Sequence, residues 1–391
     1  MENPSNIIRS WGLQQSFRVS DGTINKLAPP VYKSVKTLFV QTWREEQLST
    51  SLDWGSTQFS VLLPESLRVI SAAYLKIRLP SHAYRGYPGL YAVKNIRLLS
   101  AGQELYNVEL ADMLADYCSS LDSDTVKTFS DVYLGGSAAA SHAPVIFIPI
   151  PTPNSANMNR NGHDVHGVLP CFLGNQRLEF QITMNTNKFC DSDGQGTVPS
   201  ISGLCSVMYH EIQMEPRELE LYADLRGSYN IITRFQQLSS GWQHYATPNA
   251  EVSVQLSSPQ GIVTQLIVFA VSTASSEDRY SKREFIKATA IKVVADSEPQ
   301  LNLDDKQKCA IHLWTNGFVE NNAFPNAARI CFAAHAGEDE SHTYRGGYKM
   351  TLASNVVLSF KFAEEARYRI VADVIQRIRC DGKGVFHATL D

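Results

Sequence analysis

Residues 91–118, YAVKNIRLLSAGQELYNVELADMLADYC, run from a strand-like segment through a glycine turn into a helix-like one. That is the outline of a phosphate-binding loop, in which backbone N–H groups at a helix N-terminus surround an anion. Such a loop needs several glycines and usually a Lys-Ser/Thr pair. Ser100-Ala101-Gly102-Gln103 offers one glycine and no following lysine. The preceding strand also alternates Lys94 and Arg97 with apolar residues, whereas a parallel strand feeding a nucleotide site is apolar on both faces. Gly102 is therefore expected at a structural corner between a strand and a short helix, with a backbone angle that other residues resist.

The remaining chemical candidates read the same way. His163-Asp164-Val165-His166 places two histidines three apart, but a metal needs three or four converging ligands, and no His-x-His pair supports it. Solvated loop histidines are the better reading. Asp191-Ser192-Asp193-Gly194 resembles the first positions of a calcium loop, yet Thr197-Val198-Pro199 follows where further oxygen ligands and a terminal glutamate belong. A polar turn is expected there. There is no Gly-x-Ser-x-Gly elbow, and no cysteine sits in a catalytic context. Tyr344-Arg345-Gly346-Gly347-Tyr348 lacks the surrounding cations of a single-strand stacking platform and reads as a glycine turn flanked by sandwich aromatics. No residue is thus expected to be catalytic, cofactor-binding or metal-ligating, no cofactor is implied, and the chain is not expected to be an enzyme.

Composition narrows the class. A chain of 391 residues is comfortable as two domains. Apolar residues at 43% and charged residues at 19% are close to the globular average, which predicts a large core. Thirty-five Lys plus Arg against 39 Asp plus Glu, with no long block of either sign, argue against a protein held mainly by nucleic-acid phosphates. The N-terminus shows no secretory leader and no apolar run approaches about 20 residues, so a soluble chain is expected. The seven cysteines (118, 171, 190, 205, 309, 331, 380) are scattered without a Cys-x-x-Cys pair, a pattern that fits buried free thiols of a reducing compartment. The absence of an Asn-x-Ser/Thr acceptor, Asn3-Pro4-Ser5 being blocked by its proline, agrees with a chain that is not secreted.

Alternation of apolar and polar residues dominates the positioning elements. Leu75, Ile77 and Leu79, then Leu178, Phe180, Ile182 and Met184, then Val252, Val254 and Leu256, then Leu358, Phe360 and Phe362 each occupy one face of a period-2 strand. Helical spacing is confined to residues 104–118 and to 216–226, PRELELYADLR. Many short strands between Gly/Pro/Asn/Ser turns point to antiparallel β-sandwiches. The halves are alike: FSVLLPESLRVISAAYLKIRLP and VSVQLSSPQGIVTQLIVFAVS match when Val61 is set on Val254, an offset of 254 − 61 = 193. Two tandem sandwiches with a join near residues 213–230 follow. Long loops are expected at 119–145, 151–169 and 188–203, gathered at a sandwich end as a surface.

These stretches carry a family pattern. AYLKIRLP with NIRLLSAGQELYNVEL, then FIPIPTPN with GVLPCFLGNQRLEFQITMN, then SVMYHEIQMEPRELELYADL, and finally TLASNVVLSFKF with RIVADVIQRIRCDG resemble, in order and spacing, passages of the double jelly-roll major capsid proteins of eukaryotic DNA viruses. Large-virus members, virophages and polinton-like relatives fit equally. The resemblance implies a mainly β fold of two tandem eight-stranded antiparallel jelly rolls with a few short helices. It divides the chain into an N-terminal arm (1–30), a first roll (31–215) and a second roll (216–391). It implies a non-enzymatic virion protein, made in the host cytoplasm or nucleus, that forms homotrimeric, pseudo-hexagonal capsomers of an icosahedral shell. Its partners would be itself, neighbouring capsomers, penton and minor capsid proteins and an inner membrane, without sequence-specific nucleic-acid binding. The arm, with Trp11, Phe17 and Ile24 before Pro29-Pro30, is expected to extend to an adjacent subunit or the inner surface. An assembly scaffold of the same fold is the nearest alternative. A glycan-binding or glycan-processing double sandwich is the more distant one, and the processing enzyme lacks its acid pair or histidine cluster.

Overall fold

The computed structural model of the chain describes residues 39–63, 69–119, 121–136, 145–151, 171, 178–192, 195–214, 228–238, 241–257, 261–273, 285–316, 318, 324–335, 344–380 and 386–389. Among the described residues eight strands come before residue 215: β1 (Phe39–Gln47), β2 (Phe59–Leu62), β3 (Val69–Arg78), β4 (Val93–Ser100), β5 (Gln103–Glu109), β6 (Val145–Ile150), β7 (Leu178–Met184) and β8 (Cys205–Met214). They form two antiparallel sheets, β1-β8-β3-β6 and β2-β7-β4-β5. The alternating residues behave as their period demands: Leu75 and Ile77 are buried between the sheets, while Lys76 is half-buried and Arg78 exposed.

The second half brings β9 (Ser228–Gln237), β10 (Gln243–Tyr245), β11 (Val252–Gln255), β12 (Ile262–Ser272), β13 (Ala288–Ala295), β14 (Glu298–Leu303), β15 (Ala328–Cys331), β16 (Ala333–His335), β17 (Tyr344–Gly346), β18 (Val356–Phe362), β19 (Ala366–Cys380) and β20 (Phe386–Thr389). Its sheets run β10-β19-β12-β15, with β9 and β20 also paired to β19, and β11-β18-β13-β14. Set aside β9, β20 and the small β16-β17 hairpin, number the remaining eight strands in chain order, and both halves read 1-8-3-6 and 2-7-4-5. This is a jelly roll made twice.

The duplication reaches single residues. β2 begins at Phe59 and β11 at Val252, and 252 − 59 = 193. The β3–β8 ladder slips between Ile70 and Ala72, and the β12–β19 ladder slips between Val263 and Gln265, again 193 residues on. Each fourth strand turns into the fifth through a two-residue loop, Ala101-Gly102 (φ 51 and 79) and Asp296-Ser297 (φ 48 and 70). Positive φ at both positions is what a type I′ hairpin demands.

That hairpin corrects the expected helix over 104–118. Residues 103–109 return along β4 as strand β5, and the helix begins only at Leu110. The ladder slips between Leu98 and Leu99, which leaves Leu105 as an extra residue beside Tyr106. The bulge breaks the alternation and leaves Leu105 and Val108 three apart, a spacing that mimics a helix. The loop expected over 119–145 is also corrected. Asp122 caps a helix there, its carboxylate accepting from the N–H groups of Asp124 (3.0 Å) and Thr125 (2.9 Å). In chain order the helices are α1 (Pro88–Ala92), α2 (Leu110–Ser119), α3 (Ser123–Phe129), which continues as a π-helical turn through Leu134, and α4 (Lys306–Thr315). The expected helix over 216–226, the arm over 1–30 and all but Pro151 of the 151–169 loop lie outside the described residues.

Two cores result. One fills the first roll and the other the second, and β12 contributes to both: Leu266, Val268 and Ala270 face the second core, while Ile267, Phe269 and Val271 close the first. The unbroken apolar run LIVFAV follows from burial on both faces.

Candidate functional site

The most strongly built polar site is the seam between the rolls. α2 follows β5 and lies against β4 and β5 of its own roll. All ten of its residues are buried, including Asp112 and Asp116. Four residues apart, these carboxylates share one helix face about 6 Å apart along the axis. They meet Arg369 on β19 and Arg329 on β15, strands that flank β12 and so stand about 10 Å apart. The lengths of the side chains take up the difference.

Arg369 donates to the Asp112 carboxylate through one terminal nitrogen and pairs with Glu109 through the other. Its guanidinium also lies 5.3 Å from the Trp242 ring. Arg329 donates to Asp116 and to the Gln265 side-chain oxygen (3.0 Å), with the Phe318 ring 3.9 Å away. Burial pulls the Arg369 guanidinium below its usual range, with Glu109 acting in the opposite direction. Cations this deeply desolvated are tolerated because each has a carboxylate and a ring beside it. The arrangement holds one sandwich against the other; in chemical terms it is an anchor.

α4 takes the equivalent place in the second roll, against β13 and β14. Asp305 caps it, accepting from the Lys308 N–H (2.8 Å), and the His312 ring nitrogen accepts from the Cys331 N–H (3.0 Å). Burial, with Arg329 nearby, holds the His312 pKa below the usual histidine value. Of its ten residues α4 buries only Cys309.

Several of the candidates from sequence lie among the described residues. Ser100 and Gln103 close the β4–β5 hairpin, so Gly102 leads into a strand and not into a helix N-terminus. Asp191 is buried, accepts from the Thr197 N–H (2.7 Å) and hydroxyl (3.1 Å), and meets His82 at 3.1 Å. It ties down the 188–203 loop. Tyr348 stacks on Phe332 with ring centres 5.4 Å apart, and Tyr344–Gly346 pair with β16. His163 and His166 lie outside the described residues. Cysteines 118, 171, 190, 205, 309 and 331 are free thiols, the first, third, fourth and fifth of them buried. Among the described residues no three His, Cys, Asp or Glu side chains are grouped to hold a metal ion, and no helix is long and apolar enough to cross a membrane.

No family model and no curated protein matches the sequence. Solved structures do match the fold. VP54 of PBCV-1, fitted into a reconstruction of the virophage Sputnik, is similar over 93% of this chain and 99% of its own, with a TM-score of 0.67 at 13% identity. A chain of the PBCV-1 virus capsid gives the same coverage and TM-score at 12% identity. The Faustovirus major capsid protein is similar over 90% of this chain and 92% of its own, with a TM-score of 0.62 at 9% identity. The chain therefore has the double jelly-roll fold of these proteins across nearly its whole length.

Proposed function

We propose that the chain is a capsid protein, a non-enzymatic structural subunit that assembles as a homotrimer of pseudo-hexagonal outline and tiles an icosahedral virion shell. The observation that carries this reading is the duplicated roll joined by a buried ionic seam. Three such chains supply six similar sandwiches, the number a hexagonal tile needs. The fold shared end to end with a PBCV-1 capsid chain and the Faustovirus major capsid protein supports it. We place the division of the rolls at residues 215 and 216, with residues 1–30 as an arm reaching a neighbour or the inner surface. Neighbouring capsomers are the partners this role requires, and penton proteins, minor capsid proteins and an inner membrane are the further partners it is compatible with.

Negative-stain images of the purified full-length protein test the reading. Hexagonal particles that order into sheets or shells at high concentration support a shell protein. Trimers that never order would favour an assembly scaffold of the same fold, and a population of single two-lobed particles would refute both.

A further inference from the structure

The contact between the rolls is head-to-tail. The helix after the fifth strand of the first roll, α2, lies against the outer face of the second roll's β10-β19-β12-β15 sheet. Two similar units joined this way leave over one helix and one sheet face. The helix left over is α4, which sits on its own roll as α2 does but turns Ile311 (60% exposed) and Trp314 (76% exposed) outward, three residues apart on one face. α2 is buried along its whole length, so the difference lies in what covers each helix.

The sheet face left over is the outside of β1-β8-β3-β6. At the offset of 193, Gln265, Ile267 and Phe269 of the covered face correspond to Ala72, Tyr74 and Lys76. The π-helical turn covers the β6 side, with Tyr133 stacked on Tyr74 at 5.8 Å. Among the described residues the β1 side is left open. Trp43 stands there 57% exposed, its ring 4.7 Å from His210 and 6.0 Å from Tyr74.

We propose that α4 of one copy docks through Ile311 and Trp314 onto the outer face of the first-roll sheet of a second copy, around Trp43 and His210. The proposal rests on the self-assembly reading above and deepens it by giving the subunit contact a polarity and residues. A second copy is the occupant because the covered pair inside the chain already shows this helix and this sheet face meeting. A head-to-tail contact whose rotation closes makes a ring, and one that does not makes a filament.

The chemistry of the two contacts differs. Arg369 pairs across the ladder with Phe269, and the residue pairing with the equivalent Lys76 is Ser206. Counted from the first residue of each helix, Lys308 and His312 of α4 stand where Asp112 and Asp116 stand in α2, and His312 is turned onto the Cys331 N–H of its own roll. The ionic seam is therefore not repeated between copies; the outer contact centres on aromatic side chains with Trp314 as the anchor, beside the Lys76–Glu45 ion pair of the sheet face (2.9 Å).

Full-length protein carrying p-benzoylphenylalanine in place of Trp314, mixed with isotope-labelled wild type and irradiated, tests this. Cross-links to labelled peptides within 39–47 or 205–214 are expected. Links confined to the same chain, or to another surface of the partner, would overturn the contact. In parallel, Trp314→Ala and Trp43→Ala should each raise the concentration at which the oligomer dissociates about tenfold or more, with the melting temperature of the dissociated chain unchanged. A wild-type trimer that neither substitution weakens overturns this contact and leaves the capsomer reading standing. A wild type that never associates overturns both.

Discussion

Asp112 of the first roll and Arg369 of the second are ion-paired across the seam with their side chains 0% and 2% exposed. Removing one partner strands a desolvated charge, so Arg369→Met should cost about 3–5 kcal/mol. Replacing both ends by apolar groups removes the desolvation as well, and Asp112→Leu with Arg369→Met should recover most of that loss. Urea unfolding of the two single variants and the double variant measures this. A double variant as unstable as the sum of the singles would show that the two residues do not act as a pair.

The Ala101-Gly102 hairpin allows a cleaner test of backbone strain. A Cβ at Gly102 would have nothing within 4 Å, so only its φ of +79° resists substitution. Gly102→Ala should cost about 1–2 kcal/mol. Ala101→Asn, which creates the Asn-Gly pair favoured in such turns, should raise the melting temperature. If Gly102→Ala melts like wild type, the turn geometry is wrong.

Burial pushes the Asp191 carboxyl up, but the hydrogen bonds from Thr197 and His82 outweigh it and hold the group well below the usual carboxylate range. With the folded value depressed, its contribution is present above about pH 4 and lost as pH falls below that. Asp191→Asn should lose about 1.5–3 kcal/mol at neutral pH, the worth of hydrogen bonds to a charged group. It should also lose less stability than wild type between pH 5 and pH 3 in thermal melts.

His312 titrates with the same slope for a different reason. Burial first, then Arg329, disfavours its cation, and the neutral ring accepts the Cys331 N–H. An unfolded histidine takes up a proton near pH 6.5 while the folded one does not, so stability should fall as pH drops through that value. His312→Gln should flatten this part of the profile. A wild-type curve that is level between pH 7.5 and 5.5 would contradict the placement.

The alternating strands were legible because each has one wet face, and the offset of 193 was legible because the two rolls kept the same second and third strands. The β5 strand was not, because the Leu105 bulge turned a period of 2 into an apparent helical spacing. The seam was missed for another reason. Asp112 and Asp116 lie four apart in LADMLAD, and Arg329 and Arg369 interrupt apolar strands in ARIC and RYRIV. Each is a charge where the pattern calls for apolar residues, and that was the available signal. Which acid meets which arginine depends on contacts 213 and 257 residues apart, which spacing along the chain does not encode.

The central claim, that this chain assembles with itself as a trimer, is tested most directly by the native mass of the purified full-length protein at micromolar concentration. Sedimentation or native mass spectrometry should give three times 43.5 kDa, 130.5 kDa, with no appreciable monomer. A single species of 43.5 kDa would contradict the account.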